Sequence, residues 1–417
     1  MRPFRYQILL IFLNCDFYLS GEPSAAGSVD RWTGAAFIIF TLMLQELKTK
    51  WSTYFGKSSP DVIVRAPGRV NIIGEHTDYN EGWVLPGALG QSTYILIAKS
   101  SNNHWVASDL NEEHKGVVEP VEGQALWIKY IQGTIQLYGA NTNSYNILIG
   151  GDLPIGAGLS ASAALVCGLL VALQKITGKK ESKEELISIA SRVEREVIGL
   201  QGGIMDQFAI MLSKKNNVMF LDCRTKEYKF IPINLPKTKW LLINTKVKHQ
   251  LIDTDYNERA TECQRAVAII RHQYPEVKSL RDVTITTLAS IHLPPLLTKR
   301  VKFVIEENAR VHEMVTALEK KDAVKAGQLL KASHKGLRYD YEVSSEELDH
   351  IADFANKFEG VHGARMMGGG FGGCVLVLVN EKTSNEFVTE NADNYFMKYN
   401  SEPEVINFEL GSGVEIV

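Results

Sequence analysis

Four side chains suited to binding or proton chemistry fall within ten positions of RAPGRVNIIGEHTDYNEGWVLP (65–86): Arg69, Glu75, His76 and Asp78. A guanidinium, an imidazole and two carboxylates supply both donors and acceptors, the set that grips several hydroxyls of one small molecule. Gly68, Gly74 and Gly82 punctuate the segment and mark turns that would hold these groups together. A solvated surface loop is the alternative. Farther on, Asp206 stands in GGIMDQFA among Ile204, Met205 and Phe208. A carboxylate in apolar company needs a partner or a task, unless it only caps the helix starting there. Glu194, twelve residues upstream, reads by itself as an exposed helical charge paired with Arg195 or a lysine.

Two glycine-rich stretches add a second chemistry. PIGAGLSASAA (154–164) places Gly156 and Gly158 after a strand pattern, and Ser160 and Ser162 at the start of an apolar helix pattern. Glycine lets the main chain approach an anion closely, and a helix N-terminus offers unpaired donors with a partial positive charge. The stretch also satisfies G-x-G-x-x-A at Gly156, Gly158 and Ala161, as a dinucleotide-binding turn would. That fold needs a second strand ending in an acidic residue about 20 positions on, whereas residues 183–199 read as a helix. No Gly-Lys-Ser/Thr follows, so it is not a Walker loop. A strand-to-helix turn capped by Ser160 is the purely structural alternative. GGGFGGC (368–374) carries five glycines in six positions before an apolar strand. Such a run sacrifices backbone entropy unless the chain passes very close to something, although a hairpin-like turn would also use it. Two such elements favour a shared nucleotide site.

The elements that must position these groups follow from periodicity. VIVRA (62–66) and TYILIA (93–98) read as strands and residues 126–139 as a helix. Residues 146–178 form a strand, the first glycine-rich turn and an apolar helix; NVMFLD (217–222) is a further strand. After Asp222 the Pro- and Lys-rich IPINLPKTK leads into the strand WLLIN (240–244), and a domain boundary is placed there. Helical stripes then dominate at 258–274, 302–320, 322–334, 345–358 and 384–399. No internal repeat, heptad run or low-complexity tract is present.

A chain of 417 residues exceeds the usual size of a single core. Apolar residues at 45% and charged residues at 22% exclude a disordered polyelectrolyte, a collagen-like fibre and a multispanning membrane protein. The balance of 45 Lys plus Arg against 48 Asp plus Glu gives −3, so no basic excess points to nucleic acid. Five scattered cysteines without a C-x-x-C pair suit a reducing compartment. Arg2 and Arg5 before the apolar run 8–13 resemble the start of a secretory signal, but the run is too short, and AAFIIFTLML (35–44) is too short to span a bilayer. Met43 then opens MLQELKTKWSTYF, where Leu44, Leu47, Trp51 and Phe55 recur at helical spacing, and it is the expected start of the globular chain.

Together these segments resemble the galactokinase members of the small-molecule kinase superfamily that also includes homoserine, mevalonate and phosphomevalonate kinases. Residues 65–86 are similar to the galactokinase signature, 154–164 to the superfamily's phosphate loop, GIMDQFA to its catalytic segment and 363–379 to its third motif. The similarity runs from about Leu44 to the C-terminus, and the Glu-His-Thr-Asp-Tyr core of the first motif is the most specific part. One departure is visible: Ala161 stands where the family loop usually has the middle of three serines.

The resemblance implies an α+β fold of two domains, 43–225 and 226–417, with the active site between them and residues 1–42 outside the family pattern. It implies ATP, Mg²⁺ and α-D-galactose as ligands and galactose 1-phosphate as product. By position, Arg69 and Asp206 flank the anomeric hydroxyl, while Glu75, His76, Asp78 and Tyr256 contact the sugar. Gly156, Gly158, Ser160 and Ser162 bind phosphate, with Ser162 and Glu194 on Mg²⁺, although Ala161 leaves the choice between Ser160 and Ser162 open. Trp127 and Tyr130 match the family's adenine-pocket aromatics, where spacing alone places them in the core. Phosphoryl transfer asks mainly for positioning and charge neutralisation. Arg69 would stabilise charge on the moving group and balance Asp206, which would accept the sugar's proton or orient its hydroxyl. A cytoplasmic monomer is expected. An N-acetylgalactosamine kinase, a catalytically silent galactose and ATP sensor, and a secreted sugar-binding protein are the rival readings.

Overall fold

The computed structural model describes residues 34–56, 59–100, 106–109, 114–117, 125–140, 144–247 and 252–417. The signal-like stretch at 2–13 lies outside them. The chain divides into two units at Glu46 and Leu47, and the larger one, Leu47–Val417, carries the site.

Helix α1 spans Gly34–Phe55, so the helix expected to open at Met43 begins nine residues earlier. Nothing between residues 35 and 43 is a proline or glycine that would stop a helix. Leu47 and Trp51, one turn apart, are buried as the spacing predicts. No helix among the described residues is long and apolar enough to cross a membrane.

Strand β1 (Val62–Asn71) is buried along its whole length. It pairs antiparallel with β3 (Pro86–Ser100), with a bulge between Pro67 and Arg69 where proline has no N–H to offer the ladder. β2 (Trp83–Val84) lies between them in sequence. β4 (Val106–Asp109) and β5 (His114–Val117) precede helix α2 (Leu126–Tyr138), and β6 (Ser144–Gly151) follows it. With the C-terminal β13 (Glu415–Ile416), a six-stranded sheet forms in the order β13-β1-β3-β6-β4-β5. Helix α3 (Ala161–Thr177) packs on β1 and β3. After α3 comes helix α4 (Lys183–Arg192) and a π-helical turn (Val193–Ile198), so no second strand follows and a dinucleotide-binding fold is ruled out. Ser182 and Glu185 form the capping box that starts α4.

Helix α5 (Met205–Leu212) leads to β7 (Asn217–Asp222) and β8 (Tyr228–Pro232), which form a small sheet in the order β2-β7-β8. β9 (Thr238–Asn244) begins a four-stranded antiparallel sheet, β10-β11-β9-β12, made with β10 (Val361–Met366), β11 (Cys374–Asn380) and β12 (Glu404–Ile406). Around it run helices α6 (Ile252–Arg271), α7 (Ile285–Ala289), α8 (Pro295–Glu319), α9 (Ala323–Tyr339), α10 (Glu346–Lys357) and α11 (Ser384–Tyr399).

Two apolar clusters result. One joins the six-stranded sheet to α2, α3, α4 and α5; the other joins the inner face of the four-stranded sheet to α6, α8, α10 and α11. Cys167, Cys223, Cys263 and Cys374 are all free and buried, as small core side chains.

Candidate active site

Arg69 sits just past the bulge of β1, and its backbone N–H donates to the carbonyl of Leu159 at 3.0 Å, stapling the first glycine-rich loop to the sheet. Its guanidinium reaches Asp206, on the first turn of α5, through Nε to Oδ1 at 2.8 Å and Nη2 to Oδ2 at 3.4 Å. Nη1 donates to the carbonyl of Gly158. Burial works against the Arg69 charge, but Asp206 and Glu75 outweigh it and hold the guanidinium above its ordinary pKa. The Arg69 side chain is 7% exposed and that of Asp206 27%, so the carboxylate is the open end of the pair.

Ser160 is in the left-handed region, with φ 60°, and makes no side-chain cap on α3. Its hydroxyl donates to Asp206 Oδ2 instead. The loop is therefore more than a capped turn: its serine and Arg69 both donate to one carboxylate, and its carbonyls at Gly158 and Leu159 hold Arg69 in place. Gly156 and Gly158 both have positive φ. Ser162, on the first turn of α3, is half-buried.

One cavity gathers Arg69, His76, Asp78, Glu194, Asp206 and Tyr256. His76, in the left-handed region with φ 61°, donates from Nε2 to the carbonyl of Gly369 at 3.2 Å. Burial holds its imidazole neutral, pushing the pKa down to about 3. The backbone N–H groups of Tyr79 and Met205 favour the charged form of Asp78, yet burial and the neighbouring Asp206 push its pKa up to about 6. A Cβ on Gly203 would lie 2.3 Å from Asp78 Cγ and Oδ2, so only glycine leaves room for that carboxylate. Tyr256, on α6, stands 5.3 Å from His76 and 5.6 Å from Tyr79 between ring centres.

Glu194 lies in the π-helical turn, an element often found at functional sites. It is buried, not the exposed helical charge that its sequence neighbourhood suggests. Gln207 Nε2 donates to its Oε2 at 2.6 Å, while burial and Asp206 push its pKa up to about 8. Gln207 Oε1 is buried with no partner.

Glu75 is 1% exposed and borders the same cavity. Its Oε1 accepts Arg365 Nη1 and Nη2, both at 3.0 Å, and the N–H of Gly368 at 2.8 Å. Asn71 donates to Oε2 at 2.9 Å, leaving that oxygen with capacity for one more donor. Arg365 also donates to the carbonyls of Asn71, Ile72 and Met366. Sequence reasoning passed over Arg365, Gln207 and Tyr79; their one signal was a place inside the motifs, since their roles depend on partners up to about 290 residues away.

The second glycine-rich stretch is the turn of the β10–β11 hairpin. It is also the close approach that so many glycines suggested: a Cβ on Gly368 would meet the carbonyl oxygen of Gly158 at 3.1 Å. Trp127 and Tyr130 are buried in the first apolar cluster and do not line the cavity. The Trp127 indole N–H is buried without a partner.

Residues 49–99 match the model of the galactokinase galactose-binding signature. Residues 128–214 and 314–397 match the N-terminal and C-terminal domains of the GHMP kinases. A galactokinase of Staphylococcus carnosus is 36% identical over 388 residues, covering 90% of this chain and all of the relative. One from Thermotoga maritima is 39% identical over 355 residues, covering 84% of this chain and 99% of the relative. The crystal structure of Lactococcus lactis galactokinase complexed with galactose superposes with a TM-score of 0.83 at 30% identity, over 89% of this chain and 99% of that one. A mevalonate kinase structure, at 18% identity and a TM-score of 0.58, shares the fold. Near-complete coverage of relatives at this identity, joined to the signature match across the Arg69–Asp78 segment, means that the chain belongs to the galactokinase family of ATP-dependent sugar kinases.

Proposed function

We propose that the cavity transfers the γ-phosphoryl group of ATP to the anomeric hydroxyl of α-D-galactose, giving galactose 1-phosphate. The observation that carries the reading is the Arg69–Asp206 pair, whose open carboxylate faces a cavity walled by hydroxyl-binding groups and lined by the second glycine-rich loop, while the first loop presses on the second and reaches Asp206 through Ser160. In it, Asp206 accepts or orients the hydrogen of the anomeric hydroxyl, and Arg69 stabilises charge on the moving group. Asp78, His76 and Tyr256 hold the sugar, joined by the spare capacity of Glu75 Oε2. Gly156, Gly158 and the N-terminus of α3 receive the phosphates, with Ser160 linking them to Asp206.

Mg²⁺ fits the groups present. Among the described residues no three His, Cys, Asp or Glu side chains cluster as a metal cage, and Mg²⁺ ordinarily uses one or two carboxylates together with phosphates and water. A cation beside Glu194 would relieve its repulsion with Asp206 and engage the unpartnered Gln207 Oε1. Glu194 is thus its protein ligand, with Ser162 the second candidate because the Ser160 hydroxyl already serves Asp206. Bound there, the ion would neutralise phosphate charge. Trp127 and Tyr130 are assigned to the adenine side, where a base could satisfy the orphaned indole N–H.

The site draws on both 43–225 and 226–417, the two domains of this reading, and a cytoplasmic monomer is the proposed setting. A coupled assay of ADP release over a sugar panel tests it. Galactose-dependent turnover is expected, with N-acetylgalactosamine at least tenfold poorer in kcat/KM. Preference for the acetamido sugar would reassign the substrate, and binding of galactose and ATP without turnover would make the protein a sensor.

A further inference from the structure

Behind His76 runs a chain of buried hydrogen bonds that no step above uses. His76 Nδ1 lies 2.9 Å from the hydroxyl of Tyr79, which lies 2.8 Å from that of Tyr341. Tyr341, between α9 and α10, is fully buried, and its hydroxyl is 3.2 Å from Sγ of Cys263 on α6. Asn80 Nδ2 reaches the same sulfur at 3.6 Å.

Each hydroxyl could donate either way, but the two ends set the direction. The Gly369 carbonyl can only accept, so His76 Nε2 carries the hydrogen and a neutral ring leaves Nδ1 bare. Tyr79 must then donate to Nδ1 and accept from Tyr341. At the far end the Asn80 amide can only donate to the sulfur, which leaves the thiol hydrogen for Tyr341. All four groups are satisfied in this one sense. Reversing the chain would set an imine nitrogen against a carbonyl oxygen and leave the thiol hydrogen unused, and unpaired buried groups are costly.

We propose that Tyr341 is a positioning residue for the sugar site: acting through Tyr79, it locks His76 as the Nε2–H tautomer, so that the ring meets a sugar oxygen only as a hydrogen-bond donor, through the Nε2–H that it otherwise gives to the Gly369 carbonyl. Without Tyr341 the Tyr79 oxygen is free to accept, and the ring gains access to the other tautomer. The proposal rests on the reading of His76 as a sugar ligand.

The test uses the full-length protein with histidine labelled at both ring nitrogens and His76 assigned by loss of its signals in His76→Gln. Two-bond proton–nitrogen correlation should show the Nε2–H form in the wild type without ligand. In Tyr341→Phe a substantial fraction of the other tautomer should appear. Galactose affinity by calorimetry should fall about threefold to tenfold, the range for one net hydrogen bond, with ATP affinity within twofold of wild type. If Tyr341→Phe does not fold, Tyr79→Phe carries the same two measurements. An Nδ1–H wild type overturns the proposal. So does a folded variant in which the tautomer or the galactose affinity is unmoved, or one that weakens galactose and ATP alike. A wild type that shows the Nε2–H form but binds no galactose would defeat the sugar assignment and leave the lock standing.

Discussion

Asp206 carries the heaviest chemical role proposed here, and its surroundings separate binding from turnover. Arg69 and Ser160 both donate to it. Asparagine can keep one of its two accepting oxygens but cannot take a proton, and it no longer balances Arg69. Asp206→Asn should therefore bind galactose and ATP within a few-fold of wild type while kcat falls about a hundredfold or more. Calorimetry beside steady-state kinetics checks this, and retention of more than about half the wild-type kcat would remove Asp206 as the base. Glu194 gives a prediction in pH. Its folded pKa, raised to about 8 by burial and by Asp206, lies above the ordinary carboxylate value. A raised carboxyl favours the folded state at low pH, and that contribution is lost as pH rises through the folded pKa. Ligand-free protein should lose thermal stability between about pH 5 and pH 8 through this group, and Glu194→Gln should flatten that part of the profile. Melting curves of both proteins over this window measure it, and parallel profiles would show that Glu194 does not titrate there.

At the scale of elements, the turn before α5 and the turn after β1 are built to interlock. Gly203 leaves room for the Asp78 carboxylate, whose charged form the Met205 N–H at the start of α5 favours. In Gly203→Ala the new Cβ would collide with that carboxylate, and Asp78 would have to move. We expect galactose affinity to drop at least tenfold while ATP affinity changes less than threefold, since the phosphate loop is untouched. Calorimetry with each ligand separates the two, and an equal loss of both would point to a general folding defect. This interlock was partly legible in advance. The glycines of both motifs were visible, and strand, turn and helix around the phosphate loop could be read from periodicity. The hairpin-like turn of the second glycine run was also readable; that it presses against the first run was not, because nothing local in GGGFGGC names its neighbour.

At the scale of the whole molecule, the larger unit begins at Leu47, and Leu47 and Trp51 are buried apolar side chains at its start. A chain starting at Met43 keeps both. It should melt within about two degrees of the full-length protein and turn over at the same rate, because residues 1–42 carry none of the motifs that build the site. Precipitation or lost activity on truncation would give residues 1–42 a structural role. The residue types and local spacing carried most of the helices and singled out Arg69, Asp206, His76 and Asp78, because hydrophobic period and turn chemistry are properties of short windows, while the α+β fold class came with the family resemblance of the motifs. Burial of Glu194 in a π-helical turn, the hold of Arg365 on Glu75 and the chain from Cys263 to His76 were not readable that way. Each depends on groups from distant segments being packed into a low-dielectric interior, where a partner's identity and direction set charge, tautomer and affinity, and only the folded chain brings those partners together.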